Sequence, residues 1–204
     1  MVKNNLRNVI VQGLGYVGSA TLAAVSNAKN KYGKPLYNTI GLDLKTHEGI
    51  KRIKKINKGL FPFKSSDKNL VKQIKSAYIE KRISATYNTD CLKIADVVIV
   101  NLPLDIKLKK NKPYVNFVGF DKAILSIANN MSAKCLIIIE TTVPPGTCEN
   151  KVMPILFEGF KRRKMDKNKI KLAHSYERVM PGSKYLDSII NNWRVYSANN
   201  PTSS

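Results

Sequence analysis

The sequence predicts an open, doubly wound α/β fold: a mostly parallel sheet with helices on both faces. Three observations carry this. A short strand at residues 9–12 runs into Gly13-x-Gly15-x-x-Gly18 and on into an alanine-rich helix. The apolar runs at 95–100 and 135–139 are continuous, as in strands buried on both faces. Strand-like and helix-like stretches alternate along the chain, the order that gives parallel strands joined by right-handed crossovers.

The glycine stretch comes first and makes the fold Rossmann-like. Gly13 lets the chain turn off the strand. Gly15, without a Cβ, lets backbone lie against phosphate. Gly18 lets the following helix pack close, and that helix points unpaired N–H groups at an anion. Leu14, Tyr16 and Val17 complete the segment that would touch a dinucleotide.

The helix is expected from Tyr16 to about Lys29, followed by a loop at 31–37 that contains Gly33 and Pro35. The second strand, 39–44, carries Asp43. A carboxylate there hydrogen-bonds the ribose hydroxyls and repels a 2′-phosphate, so NAD is favoured over NADP. Ile50, Ile53 and Ile56 mark a short basic helix that stops at Gly59. Ser66 or Asp67 caps the next helix, with Leu70, Val71, Ile74 and Tyr78 on its inner face. Strands follow at 83–86 and 95–100, and 107–116 reads as a polar, lysine-rich loop. A helix is expected at 118–130, a strand at 135–139, a helix at 148–162 and a strand at 169–173. A last short strand is expected at 194–197, with a tail at 201–204 after a single domain over 1–200. Ligands in such sheets sit beyond the carboxyl ends of the strands. Five segments fall there: 13–18, Asp43, 101–103, 140–147 and 175–182. Leu102, Pro103 and Glu140 thereby join the cofactor-binding candidates.

Bulk properties bound the rest. The chain has 204 residues, 43% hydrophobic, with no apolar run of membrane-spanning length. Its polar N-terminus has no signal-peptide pattern. Cys91, Cys135 and Cys148 lack metal or disulfide spacing, so no metal site is expected and the reducing cytoplasm is the simplest setting. The net charge of +21 admits nucleic acid as a partner. The basic residues are spread over helix faces without aromatic stacking motifs, which makes nucleic acid the less favoured partner. His47 reads as a solvated residue at a polar helix start. His174 ends a strand near the rim and reads as structural or as part of the site.

Several segments together resemble the N-terminal domain of the UDP-glucose/GDP-mannose dehydrogenase family, the nucleotide-sugar 6-dehydrogenases. They are Gly-Leu-Gly-Tyr-Val-Gly (13–18), Gly-Leu-Asp (41–43), Ile-Asn-Lys-Gly (56–59), Ala-Asp-Val-Val-Ile-Val (95–100), Glu-Thr-Thr-Val-Pro-Pro-Gly-Thr (140–147) and Glu-Arg-Val-Met-Pro-Gly (177–182). The last is similar to the branch acting on UDP-N-acetyl-hexosamines, the N-acetylmannosamine 6-dehydrogenases. The resemblance implies NAD as hydride acceptor in two oxidations at the sugar C6, with the aldehyde held on a cysteine. It implies that Thr142 lies near the nicotinamide and helps position a water, and that Glu177 is the acid/base residue. It places Arg52 at a basic position that meets the adenosine side, beside the plainer reading of a solvated helix charge.

The departures are equally informative. The family's Gly-Gly-x-Cys nucleophile is absent from these residues, as are its connecting helix and its UDP-binding domain. The expectation is therefore a cofactor-binding half, truncated and inactive alone, whose partners would be a UDP-sugar and a separate C-terminal half. Cys148 reads as a packed residue or a helix-end thiolate. The family's Val-Pro-Thr-Pro is Val-Asn-Leu-Pro at 100–103, and the proline usually preceding the glutamate is Tyr176. Two alternatives stay open: a stand-alone, non-catalytic NAD-binding module, and a basic nucleic-acid-binding domain on the same scaffold.

Overall fold

The computed structural model describes residues 6–104, 106–109, 111–177 and 180–200. The tail at 201–204, and Arg178 and Val179 of the 177–182 motif, lie outside the described residues. In chain order the elements are β1 (Arg7–Gln12), α1 (Tyr16–Ser26), β2 (Tyr37–Leu42), α2 (His47–Ile56), α3 (Lys68–Ile79), β3 (Ile83–Thr86) and β4 (Val97–Val100). Then come β5 (Ile106–Lys109), β6 (Lys112–Val115), α4 (Val118–Asn130), β7 (Leu136–Ile139), α5 (Met153–Arg162), β8 (Lys171–His174), α6 (Tyr185–Asn191) and β9 (Ser197–Ala198).

Among the described residues one sheet runs β3-β2-β1-β4-β7-β8-β9, and a separate pair is formed by β5 and β6. Every neighbour in the large sheet is parallel except β9, which runs antiparallel to β8 at the edge. The chain reverses its direction of winding at β1 and β4, and the crevice this opens at the carboxyl ends of the strands is where ligands bind.

Strand alternation splits the core into two layers. Ile10, Val98, Val100, Ile137, Ile139 and Leu172 face α4 and α5, meeting Phe120, Ile124, Leu156 and Phe160. Val11, Ile83 and Ala85 face the other way, onto Ala20 and Leu22 of α1, Ile74 of α3 and Leu186 of α6. The period-two geometry of a strand sends neighbours such as Ile10 and Val11 to opposite faces, so an all-apolar strand serves both layers. The expected Asp67 cap is present: its carboxylate accepts from Asn69 N at 2.8 Å and Leu70 N at 3.1 Å.

The structure corrects several expectations. The lysine-rich stretch expected as a loop is a hairpin, with Ile106 opposite Val115 and Leu108 opposite Pro113. Lysines alternate there with apolar residues, a strand period, and Asn111 adopts the left-handed backbone a hairpin turn needs, at φ 58°. Helix α1 stops at Ser26 rather than Lys29. The Asn27 side chain donates to the Ala23 carbonyl at 2.8 Å, and Lys29 already bridges to Pro35. The second strand ends at Leu42, so Asp43 stands just beyond it. The helix expected from Cys148 divides into a wide π-helical turn at Cys148–Val152, closed by Met153 N donating to Cys148 O, and then α5, with Pro154, which has no N–H to donate, in its first turn. Helix α6 had no counterpart in the sequence reading. The last strand is 197–198 rather than 194–197, because Arg194 turns into the molecule instead of extending the sheet edge.

Candidate functional site

The carboxyl ends of β2, β1, β4 and β7 are joined by backbone hydrogen bonds. Gly13 N donates to Leu42 O at 2.8 Å, Asn101 N to Gln12 O at 2.8 Å, and Glu140 N to Val100 O at 3.0 Å. Segments far apart in sequence thereby form one wall.

The three glycines have three different reasons to be glycine. Gly13 has φ 94°, and a Cβ on it would lie 2.2 Å from the Asn101 carbonyl oxygen. A Cβ on Gly18 would lie 1.9 Å from the Gly13 carbonyl oxygen. Around Gly15 there is nothing within 4 Å, so its glycine keeps an open surface rather than a tight contact. Gly15 is also the N-cap of α1 and places no side chain over that helix's first N–H groups.

A pocket opens over this turn. Gly15, Tyr16, Val17 and Gly18 form one side, Asn101 to Leu104 another, and Glu140, Thr141, Thr142 and Glu177 the third. The sequence-predicted residues that line it are therefore Gly15, Tyr16, Val17, Gly18, Leu102, Pro103, Glu140, Thr142 and Glu177. Gly13 lies beneath the turn. Leu14 is not in the pocket lining: its side chain is fully buried and packs where a Cβ on Gly41 would sit. Asp43 and Arg52 lie outside the pocket lining, past the end of β2, where Asp43 Oδ2 accepts from Arg52 Nε at 2.7 Å. Asp43 Oδ1 accepts from Leu44 N at 2.8 Å.

The sequence reading missed the partners of Glu140. This residue is 3% exposed. Its Oε2 accepts from Asn101 Nδ2 at 2.7 Å and from Thr21 Oγ1 at 3.2 Å, and its Oε1 is paired with Arg194. Thr141 is a second missed residue: its hydroxyl accepts from Leu102 N at 2.9 Å and donates to Val100 O at 3.2 Å. Tyr16 packs its ring against Phe61, Phe63 and Tyr185, which fixes one pocket wall.

None of the three thiols lines the pocket. Burial pushes Cys91 up to about 11, Cys135 up to about 12, and Cys148 above its ordinary value. Cys148 packs against the core, in agreement with the packed reading. His47 is solvent-exposed beside Glu48. His174 is half-buried beside the Tyr176 ring, and among the described residues its buried Nε2 has no hydrogen-bond partner.

These residues fit a dinucleotide. The surface over Gly15 is open, the start of α1 carries unpaired N–H groups, and a hydrogen-bonded carboxylate stands at the end of β2.

Comparison with known proteins agrees with this geometry. Residues 7–203 match the model of the UDP-glucose/GDP-mannose dehydrogenase family, NAD binding domain. The chain is 31% identical over 196 residues to a UDP-N-acetyl-D-mannosamine dehydrogenase of Methanocaldococcus jannaschii, covering 95% of this chain and 39% of that protein. The solved UDP-D-ManNAc dehydrogenase of Pyrococcus horikoshii superposes with a TM-score of 0.78 at 25% identity, over 96% of this chain and 42% of that one. An NDP-N-acetyl-D-galactosaminuronic acid dehydrogenase of Methanosarcina mazei Go1 shares the fold, with a TM-score of 0.86 at 22% identity, over 98% of this chain and 40% of that chain. The chain spans about two fifths of the length of the curated relatives it matches.

Proposed function

The chain belongs to the UDP-glucose/GDP-mannose dehydrogenase family as its NAD-binding domain, and from that premise we propose that it is the cofactor half of a nucleotide-sugar 6-dehydrogenase. The substrate class would be a UDP-N-acetyl-hexosamine, oxidised to the uronic acid used in surface polysaccharides, in the reducing cytoplasm. The observation that carries this reading is the pocket shared by the open glycine turn, Thr142 and Glu177.

Bound NAD supplies the hydride acceptor. The residues of this chain bind and position it. The first turn of α1 holds the diphosphate through backbone N–H groups. Asp43 accepts from the ribose hydroxyls, with Arg52 fixing its carboxylate. Leu102 and Pro103 press on the cofactor from the β4 side, and Thr142 positions a water. Glu177 takes that water's proton, as a carboxylate in a partly desolvated cleft can. Turnover requires residues beyond this span, because its three cysteines are buried or half-buried and stand away from the pocket. The remaining portion and a UDP-sugar are therefore the proposed partners.

Calorimetry with NAD tests the reading. Binding is expected between micromolar and millimolar, which corresponds to about −8 to −4 kcal/mol. No NADH should form from a UDP-N-acetyl-hexosamine with this chain alone, and formation is expected once the C-terminal portion is supplied in trans. Heat with single-stranded DNA and none with NAD would overturn the proposal. So would NAD binding with no activity under any complementation, in favour of a non-catalytic module.

A further inference from the structure

We infer that Arg194 is the positioning residue of the cofactor site: its guanidinium neutralises Glu140, and through Glu140 it holds Asn101 beneath the glycine turn. The inference rests on the cofactor site proposed above, and it adds a residue that neither the sequence motifs nor the family resemblance singles out.

Sheet order makes the contact unusual. Arg194 lies between α6 and β9, at the far edge of the sheet, and β8 stands between β9 and β7. Its side chain nevertheless reaches the residue that follows β7, pairing with a carboxylate whose side chain is 4% exposed. Two further donors complete that carboxylate: Asn101 from the end of β4 and Thr21 from α1. Asn101 is the residue against which the turn is packed. Its carbonyl meets the position of a Gly13 Cβ, and its own Cβ would lie 3.1 Å from a Cβ on Gly18. One guanidinium therefore anchors three elements that meet at the site.

Charge supplies the second argument. Glu140 lines the pocket proposed to receive a diphosphate. A buried carboxylate without its cation would repel that anion, and removing one partner of a buried ion pair leaves an uncompensated charge. Of the described elements around Glu140, β8 and its loop also carry Lys171, His174 and Glu177, α6 carries Tyr185 and Asp187, and α1 carries Tyr16. Arg194 is the cation that pairs with Glu140.

Three variants of the 204-residue chain test this, read by NAD calorimetry and by thermal midpoint. Arg194→Met should weaken NAD binding by about tenfold or more and lower the midpoint. Arg194→Lys, which keeps the charge, should recover most of both. The double variant Glu140→Gln, Arg194→Met should recover most of the midpoint, because the introduced amide keeps an oxygen for Asn101 and Thr21 and leaves no bare charge. A packing role for Arg194 predicts no such recovery. Unchanged NAD binding in Arg194→Met, or a double variant with a midpoint no higher than that of Arg194→Met, overturns the inference while leaving the cofactor reading intact. A wild-type chain that does not bind NAD defeats the cofactor reading itself. In that case the midpoints still decide the pairing: recovery in the double variant supports it, and no recovery overturns it.

Discussion

Asp43 and Arg52 form an ion pair at 2.7 Å, so the acid proposed to read the ribose is already held when a cofactor arrives. The Asp43 side chain is 7% exposed and that of Arg52 24%, and a second hydrogen bond from Leu44 N leaves the carboxylate little freedom. Preorganisation of this kind lowers the ordering cost of binding.

Replacing Asp43 with Ala should therefore weaken NAD by about tenfold or more, the worth of hydrogen bonds to a charged acceptor. It should also release Arg52 to meet a 2′-phosphate, so the NAD-to-NADP preference should narrow or reverse. Parallel titrations with both dinucleotides check this, and an unchanged preference ratio would remove Asp43 from the site.

Gly15 and Gly18 predict opposite phenotypes. Gly15→Ala meets open space, at φ −63° and ψ −171°, a conformation alanine adopts freely. The fold should keep its thermal midpoint while NAD binding falls sharply. Gly18→Ala drives a methyl into the Gly13 carbonyl at 1.9 Å, so stability should fall by about 2 kcal/mol or more. Denaturant melts and calorimetry on the two variants separate the effects.

The cysteines should be slow to react. Burial raises all three thiols, so the thiolate is scarce at neutral pH. Iodoacetamide at pH 7.5 should label the native chain far more slowly than the urea-unfolded chain. The linkage follows from the sign of the shift. A thiol with its folded value raised stabilises the fold fully below its unfolded value, near 9, and that contribution is lost as pH rises toward about 11 for Cys91. Thermal midpoints should therefore decline above pH 9. Rapid labelling of Cys148 in the native chain would revive it as a nucleophile.

Tyr185 offers a contrast with the satisfied network around Glu140. It is fully buried, and among the described residues its hydroxyl has no hydrogen-bond partner. Tyr185→Phe should leave stability unchanged or raise it by up to about 1 kcal/mol, since an apolar replacement of the same shape removes a desolvated group. Loss of more than this in a denaturant melt would mean that the hydroxyl holds an ordered water.

Much of the site could be read directly from the chain because its signals are local. The backbone demands of Gly13, Gly15 and Gly18, the apolar runs of β4 and β7, and an acid just past β2 each need only a few neighbouring residues. The hairpin at Ile106–Val115 was hidden because lysine density outweighed a short period-two pattern. Arg194 and Thr21 carried no local signal at all, since they lie 54 and 119 residues from Glu140.

Local backbone preference and strand period were thus enough to establish the α/β class and the turn over which a dinucleotide lies. The tertiary structure alone decided which distant side chains meet Glu140, because the order of strands in the sheet, rather than the order of residues in the chain, determines what stands beside a strand's end.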